Sequence, residues 1–125
     1  MRQAGILAAG ALHALRNHRE RLSQDHERAR RFATGLASLD GLRIDPSEVE
    51  TNIVVIGVDA AAAPPRAWVD LLSESGVLTV PFGAAGLRAV MHLDVNDAMV
   101  DYALEAFRSA SRRLGRRGAA GSQPA

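Results

Sequence analysis

The alternation of apolar and polar positions along the chain predicts seven elements in the order α-α-β-α-β-β-α. Apolar residues at helical spacing predict helices over residues 3–15, 18–39, 65–75 and 97–114. Runs that are rich in β-branched residues predict strands over residues 52–58, 77–82 and 87–95. The last two strands are joined only by the short link "FGAAG", which predicts an antiparallel hairpin.

This order predicts a small α+β domain, with a three-stranded sheet that carries helices on one face and is preceded by two helices. We expect a helical segment over residues 1–40, the α+β domain over 41–114 and a disordered tail over 115–125. The second face of the sheet would then be open to solvent or to a partner.

The first predicted helix is apolar on all sides, with no charged residue between positions 3 and 15. Such a helix must be covered all round, either as the central helix of a compact domain or by a large partner surface. The apolar run is too short to cross a bilayer, so we expect no membrane span.

The amino-acid composition excludes some kinds of reactive site. The 125 residues include no cysteine, and all 15 basic residues are arginine, so no lysine is present. A Schiff base to a side chain needs a lysine amine and is therefore excluded. The four histidines lack metal-ligand spacing, so we expect no metal site.

Charge and cysteine content bear on partners and location. The net charge of +1 gives no strong field toward nucleic acid or membrane. The arginine-rich stretch 108–118 fits a solvated helix end, and a weak nucleic-acid-binding arm is the alternative. The absence of cysteine fits a cytoplasmic protein.

Arg88 is the strongest candidate for a functional side chain. In the predicted strand "LRAVMHLDV", successive side chains point to opposite faces, so Arg88 and His92 share the face opposite Leu87 and Met91. A guanidinium held on a strand can grip a carboxylate through two hydrogen bonds. Alternatively, Arg88 extends into solvent from an open face of the sheet.

Several segments occur in an order that resembles the C-terminal part of low-specificity L-threonine aldolases. These segments are "MRQAG", "LAAGALHALRNHRERLSQDHERAR", "ETNIV", "GVL" with a following "FG", and "LRAVMHLDV". That family consists of pyridoxal-phosphate enzymes of the aspartate-aminotransferase fold (fold type I) in the β-eliminating lyase superfamily. The resemblance implies the small C-terminal domain of such an enzyme.

The resemblance also implies an activity and site residues. The family cleaves threonine and other β-hydroxy amino acids to glycine and an aldehyde. Arg88 matches the arginine that receives the substrate carboxylate, although Met91 stands where the family usually has threonine. Arg2 lies in a segment that is near the cofactor in the family, which implies a role in cofactor binding.

The family's cofactor-binding lysine and phosphate-binding loop would precede this sequence. We therefore expect a C-terminal fragment that is inactive alone and needs a large domain or other subunit that binds pyridoxal phosphate. No side chain of this chain is expected to bind the cofactor covalently. A homo-oligomer through the first two helices is also expected. A stand-alone binding or scaffold domain without catalysis remains the alternative.

Overall fold

The computed structural model describes residues 2–61 and 63–120, with side chains described as far as residue 115. Its helices are α1 (Ala4–Asn17), α2 (Leu22–Leu36), α3 (Pro65–Glu74) and α4 (Asp97–Ala120). Its strands are β1 (Leu42–Arg43), β2 (Ile53–Val58), β3 (Val80–Pro81) and β4 (Gly86–Val90), and a 3₁₀ turn spans Pro46–Glu48. The α+β class is therefore confirmed.

The four strands form one antiparallel sheet in the order β1-β2-β4-β3. The prediction of three strands was wrong, because it missed β1. A strand of two residues is too short to show an alternating pattern in the sequence. The hairpin of β3 and β4 is confirmed, and Gly83 in its link has a φ of 61°, which favours glycine.

Two predicted strands are shorter in the structure. The segment 77–82 pairs with its neighbour only at Val80 and Pro81. The segment 87–95 ends as a strand at Val90, because the side chain of Asn52 donates a hydrogen bond of 2.6 Å to the carbonyl of Met91 and the chain then turns. The turn is closed by the Val95 amide, which donates to the His92 carbonyl at 2.9 Å.

The helix ends also differ from the prediction. α2 begins four residues late because 18–21 form a turn after α1. α4 starts as expected, since the Asn96 side chain accepts a hydrogen bond from the Met99 amide at 3.0 Å. It continues to Ala120, six residues beyond the predicted helix end at 114, and 121–125 lie outside the described residues. The disordered tail over 115–125 stays a prediction.

The core lies between one face of the sheet and the helices α2, α3 and α4. The strands contribute the alternating residues Val54, Ile56, Val58, Leu87 and Ala89. Three aromatic rings fill the centre: the Phe32 and Phe107 centroids are 5.5 Å apart in an edge-to-face arrangement, and Trp68 lies 6.2 Å from Phe107.

α1 lies outside this core. None of its residues is buried, and its large apolar side chains are 46–75% exposed, namely Ile6, Leu7, Leu12 and Leu15. Among the described residues, no helix is long and apolar enough to span a membrane. α1 is therefore an uncovered apolar surface of the folded chain.

Candidate carboxylate-binding site

The face of the sheet away from the helices is an apolar surface open to its surroundings. The residues on this face alternate with the buried ones along β2 and β4. Four aliphatic side chains on it are between 41% and 47% exposed, namely Ile53, Val55, Val80 and Val90. We call this surface the open face.

Arg88 lies at the centre of the open face. It is directly opposite Val55 on β2 and Val80 on β3, so its backbone is held between two neighbouring strands. Its side chain is exposed, and within residues 2–61 and 63–115 its guanidinium makes no hydrogen bond or ion pair. The aliphatic neighbours can support the stem of the side chain while the planar group remains available to an anion.

In the described part of the chain, no hydrogen bond or ion pair joins His92 or Arg2 to Arg88. His92 lies past the end of β4, so the prediction that it shares a strand face with Arg88 was wrong. Its Nδ1 lies 3.6 Å from a carboxylate oxygen of Asp94. Arg2 is exposed just before α1. Its predicted role toward a cofactor stays a prediction.

Arg43 is a second cation on the open face that the sequence analysis missed. It lies opposite Gly57 in β1, and its Nη2 donates a hydrogen bond of 3.3 Å to the carbonyl of Val58. A cavity of about 540 Å³ lies beside it, between β2 and the loop that follows β1. The segment "GLRID" contains this arginine, but two residues of strand are too few for the sequence to indicate on which face of the sheet the arginine lies.

The other charged clusters that we describe lie within α2 or between α2 and α4. Asp25 is buried in α2, and the Arg21 guanidinium donates to both its carboxylate oxygens, at 2.9 and 3.2 Å. Arg28 Nε donates to Asp97 Oδ1 at 2.9 Å between α2 and α4. This hydrogen bond lowers the pKa of Asp97 and raises the pKa of Arg28. These pairs are structural contacts on the side of the molecule away from the open face.

No cluster of metal-binding side chains occurs among the described residues. The "FGAAG" segment forms the hairpin link between β3 and β4. A phosphate-binding loop would instead be followed by a helix. Of the predicted sites, Arg88 on the open face is therefore the one whose surroundings suit ligand binding.

Comparison with known proteins gives the family. Residues 1–61 match the family described as Beta-eliminating lyase. Over 109 residues, the chain is 37% identical to the Arabidopsis thaliana protein named "Probable low-specificity L-threonine aldolase 2", which covers 86% of the chain. Over 111 residues it is 32% identical to low-specificity L-threonine aldolase 1 of the same plant, covering 88% of the chain. The chain is related to the low-specificity L-threonine aldolases.

The resemblance inferred from the ordered segments is thus confirmed. The chain spans 30% and 31% of the length of these two relatives. The match therefore shows the family of this chain, and it does not by itself show the activity, substrates or partners of the whole relatives for this chain.

Solved structures give the fold independently of close sequence similarity. The ornithine aminotransferase of Toxoplasma gondii, whose structure is described with pyridoxal phosphate at its active site, matches with a TM-score of 0.51 and 22% identity. The match covers 80% of this chain and 23% of that one. The M. tuberculosis protein Rv3290C matches with a TM-score of 0.60 and 23% identity, over 76% of this chain and 22% of its own. At these identities, the two matches show that the chain shares its fold with part of each protein.

Proposed function

We propose that this chain acts as the small domain of an L-threonine aldolase, in which Arg88 binds the substrate carboxylate. A large domain, in a longer form of the same chain or in another subunit, would bind pyridoxal phosphate. The observation that carries this proposal is the position of Arg88, whose uncommitted guanidinium stands at the centre of an open apolar face.

The chemistry of the open face suits this role. A carboxylate accepts two parallel hydrogen bonds from a guanidinium, which fixes the direction of the carboxylate as well as its position. Exposed aliphatic side chains on either side exclude water once a partner covers the face, and loss of water strengthens an ion pair. Arg88 would then hold the substrate so that its Cα–Cβ bond has one orientation toward the partner.

The chain alone does not fit a resident pyridoxal phosphate. It has no lysine to hold the cofactor covalently, and the hairpin link does not open a helix that could receive the phosphate. We therefore assign no step of the reaction to a cofactor on this chain. In the cleavage of threonine to glycine and acetaldehyde, the contribution of this chain is to bind and orient the substrate.

The exposure of α1 supports the need for a partner. Its four large apolar side chains make a patch of a kind that monomeric proteins rarely leave uncovered. We propose that the large domain covers this helix, and that α1 and α2 also contribute to a homo-oligomer. The contact through α1 does not involve Arg88, so association through this helix can be tested separately from substrate binding on the open face.

The test is to join this chain to the large domain of the first Arabidopsis relative, "Probable low-specificity L-threonine aldolase 2", and to measure acetaldehyde release from L-threonine. We expect activity from the fusion and none from either part alone. A matched fusion that carries Arg88→Ala controls for the carboxylate site. A folded fusion that binds pyridoxal phosphate but cleaves no β-hydroxy amino acid would contradict the proposal.

A further inference from the structure

The outer edge of β2 is only partly covered by β1. Hydrogen bonds from the Val58 amide to Ala85 and from the Met91 amide to Asn52 show that even-numbered residues of this stretch bond toward β4. In an antiparallel ladder, the odd-numbered residues then direct their amide and carbonyl groups to the opposite edge. At that edge β1 pairs only with Gly57 and Val58, so the backbone groups of Val55 point beyond the end of β1.

A cavity of about 540 Å³ lies at this uncovered edge. Its inner wall is β2, and its outer wall is the loop that follows β1. We call it the edge slot, and it is lined by Arg43, Ile44, Asp45, Glu48, Val49, Ile53, Val55 and Gly57. A volume of this size is typical of sites that bind small molecules or short peptide segments.

The chain's own loop is held away from the edge slot. Asp45 would be the next partner of Val55 if β1 continued, but its carboxylate instead accepts hydrogen bonds from the Ser47 amide at 2.8 Å and the Ser47 hydroxyl at 2.6 Å. These bonds start the 3₁₀ turn and bend the backbone out of the sheet. The position beside Val55 is thereby left for a strand from outside.

The charges of the edge slot select the kind of segment. Asp45 and Glu48 contribute two carboxylates, against one guanidinium from Arg43, which already donates to the Val58 carbonyl. The Ser47 hydrogen bonds lower the pKa of Asp45, so this carboxylate is ionised at neutral pH. Aliphatic side chains supply the rest of the lining, so a cationic segment with aliphatic residues fits best.

We propose that the edge slot binds an extended peptide segment of a partner protein, which adds a short strand beside β2 and places a basic side chain near Asp45 and Glu48. Main-chain hydrogen bonds to Val55 would supply affinity, and the two carboxylates would supply selectivity. This binding is separate from the proposed carboxylate site and does not require aldolase activity.

The test uses the peptide acetyl-Val-Arg-Val-Arg-Val-amide and the folded chain, with backbone amide chemical shifts and amide hydrogen exchange measured by NMR. We expect the Val55 amide to shift and to become protected, with no such change at Ile56, which bonds toward β4. A peptide in which both arginines are glutamates should bind about tenfold more weakly at low salt. Equal binding of the two peptides, or a peptide that leaves the Val55 amide unaffected, would overturn the proposal.

A pair of proline variants tests the geometry. Val55→Pro removes an amide that faces the edge slot and should leave the thermal unfolding midpoint nearly unchanged, while weakening peptide binding about three- to tenfold. Ile56→Pro removes a bond to β4 and should unfold the chain at a clearly lower temperature. If Val55→Pro disrupts folding, the parent chain is tested with the probe peptide N-methylated at its central residue. The N-methyl group is then moved to each other residue of the peptide in turn. If binding stays unchanged for every position of the N-methyl group, strand addition is refuted.

Discussion

Replacement of Arg88 by alanine separates the proposed binding role from a structural one. In the folded chain, the Arg88 side chain is exposed and makes no hydrogen bond or ion pair among the described residues. Its loss therefore removes only contacts of its stem with aliphatic neighbours on the open face. We expect the free energy of unfolding to change by less than about 0.5 kcal/mol, as for other surface substitutions.

The expected effect on catalysis is much larger. In the fusion with a large domain, Arg88→Ala would leave the substrate carboxylate unpaired in a site from which water is excluded. Loss of one partner of a buried, charge-assisted pair costs on the order of 2–4 kcal/mol. At about 1.4 kcal/mol per decade, kcat/KM should fall roughly 30- to 1000-fold. Arg88→Lys should recover only part of this loss, because an ammonium group lacks the planar fork.

The assay is the steady-state cleavage of L-threonine by the purified fusion, paired with urea unfolding of the isolated chain. Arg43→Ala is the matched control, because Arg43 is an exposed arginine on the same face, two strands away from Arg88. It should leave kcat/KM within about threefold of the parent. Kinetics of Arg88→Ala within threefold of the parent, or equal losses for the two variants, would refute the assignment of Arg88.

Three further outcomes follow from the fold. A Cβ at Gly35 would lie 2.6 Å from Leu104 Cδ2, so Gly35→Ala should destabilise the chain by about 1–3 kcal/mol in urea unfolding, and less when Leu104 is also alanine. Because Arg28 lowers the pKa of folded Asp97, that carboxylate adds stability above its ordinary pKa, and this contribution disappears as the pH falls through the lowered value. Asp97→Asn should therefore reduce the thermal midpoint at neutral pH, and the difference from the parent should vanish in strong acid; a constant difference would contradict this. Glutamine at the four large apolar positions of α1 should reduce concentration-dependent association in sedimentation without changing the unfolding free energy, whereas a parent chain that is already strictly monomeric would contradict the expectation.

The sequence was sufficient for the elements that have a strong periodic pattern. The helices near 3–15 and 65–75 and the strand near 52–58 lie within two residues of their predicted bounds, because apolar spacing and the glycine after α3 define them locally. β1 could not be predicted, since two residues carry no periodic signal. Its pairing depends on partners 14 and 16 residues away along the chain.

Only part of the candidate site could be predicted, because local alternation is visible in the sequence and long-range contacts are not. Arg88 lies where alternation along the strand places it, on the face of the sheet away from its buried neighbours Leu87 and Ala89. His92 does not, because the hydrogen bond from the Asn52 side chain to the Met91 carbonyl is a long-range contact that ends the strand. Leu93, beyond the end of the strand, is 56% exposed.

The separation of α1 from the core has a thermodynamic consequence for recognition. A helix of 14 residues without tertiary support is marginal in water, so α1 would exchange between helix and coil while the rest of the chain stays folded. A partner that binds helical α1 must then also supply the free energy of its ordering, and part of its contact energy is spent there. Gly5 and Gly10 add to this penalty, and both have open space around their Cα atoms. Alanine at these positions would tighten association through helix propensity alone, so that affinity for the partner is set by residues that need not touch it.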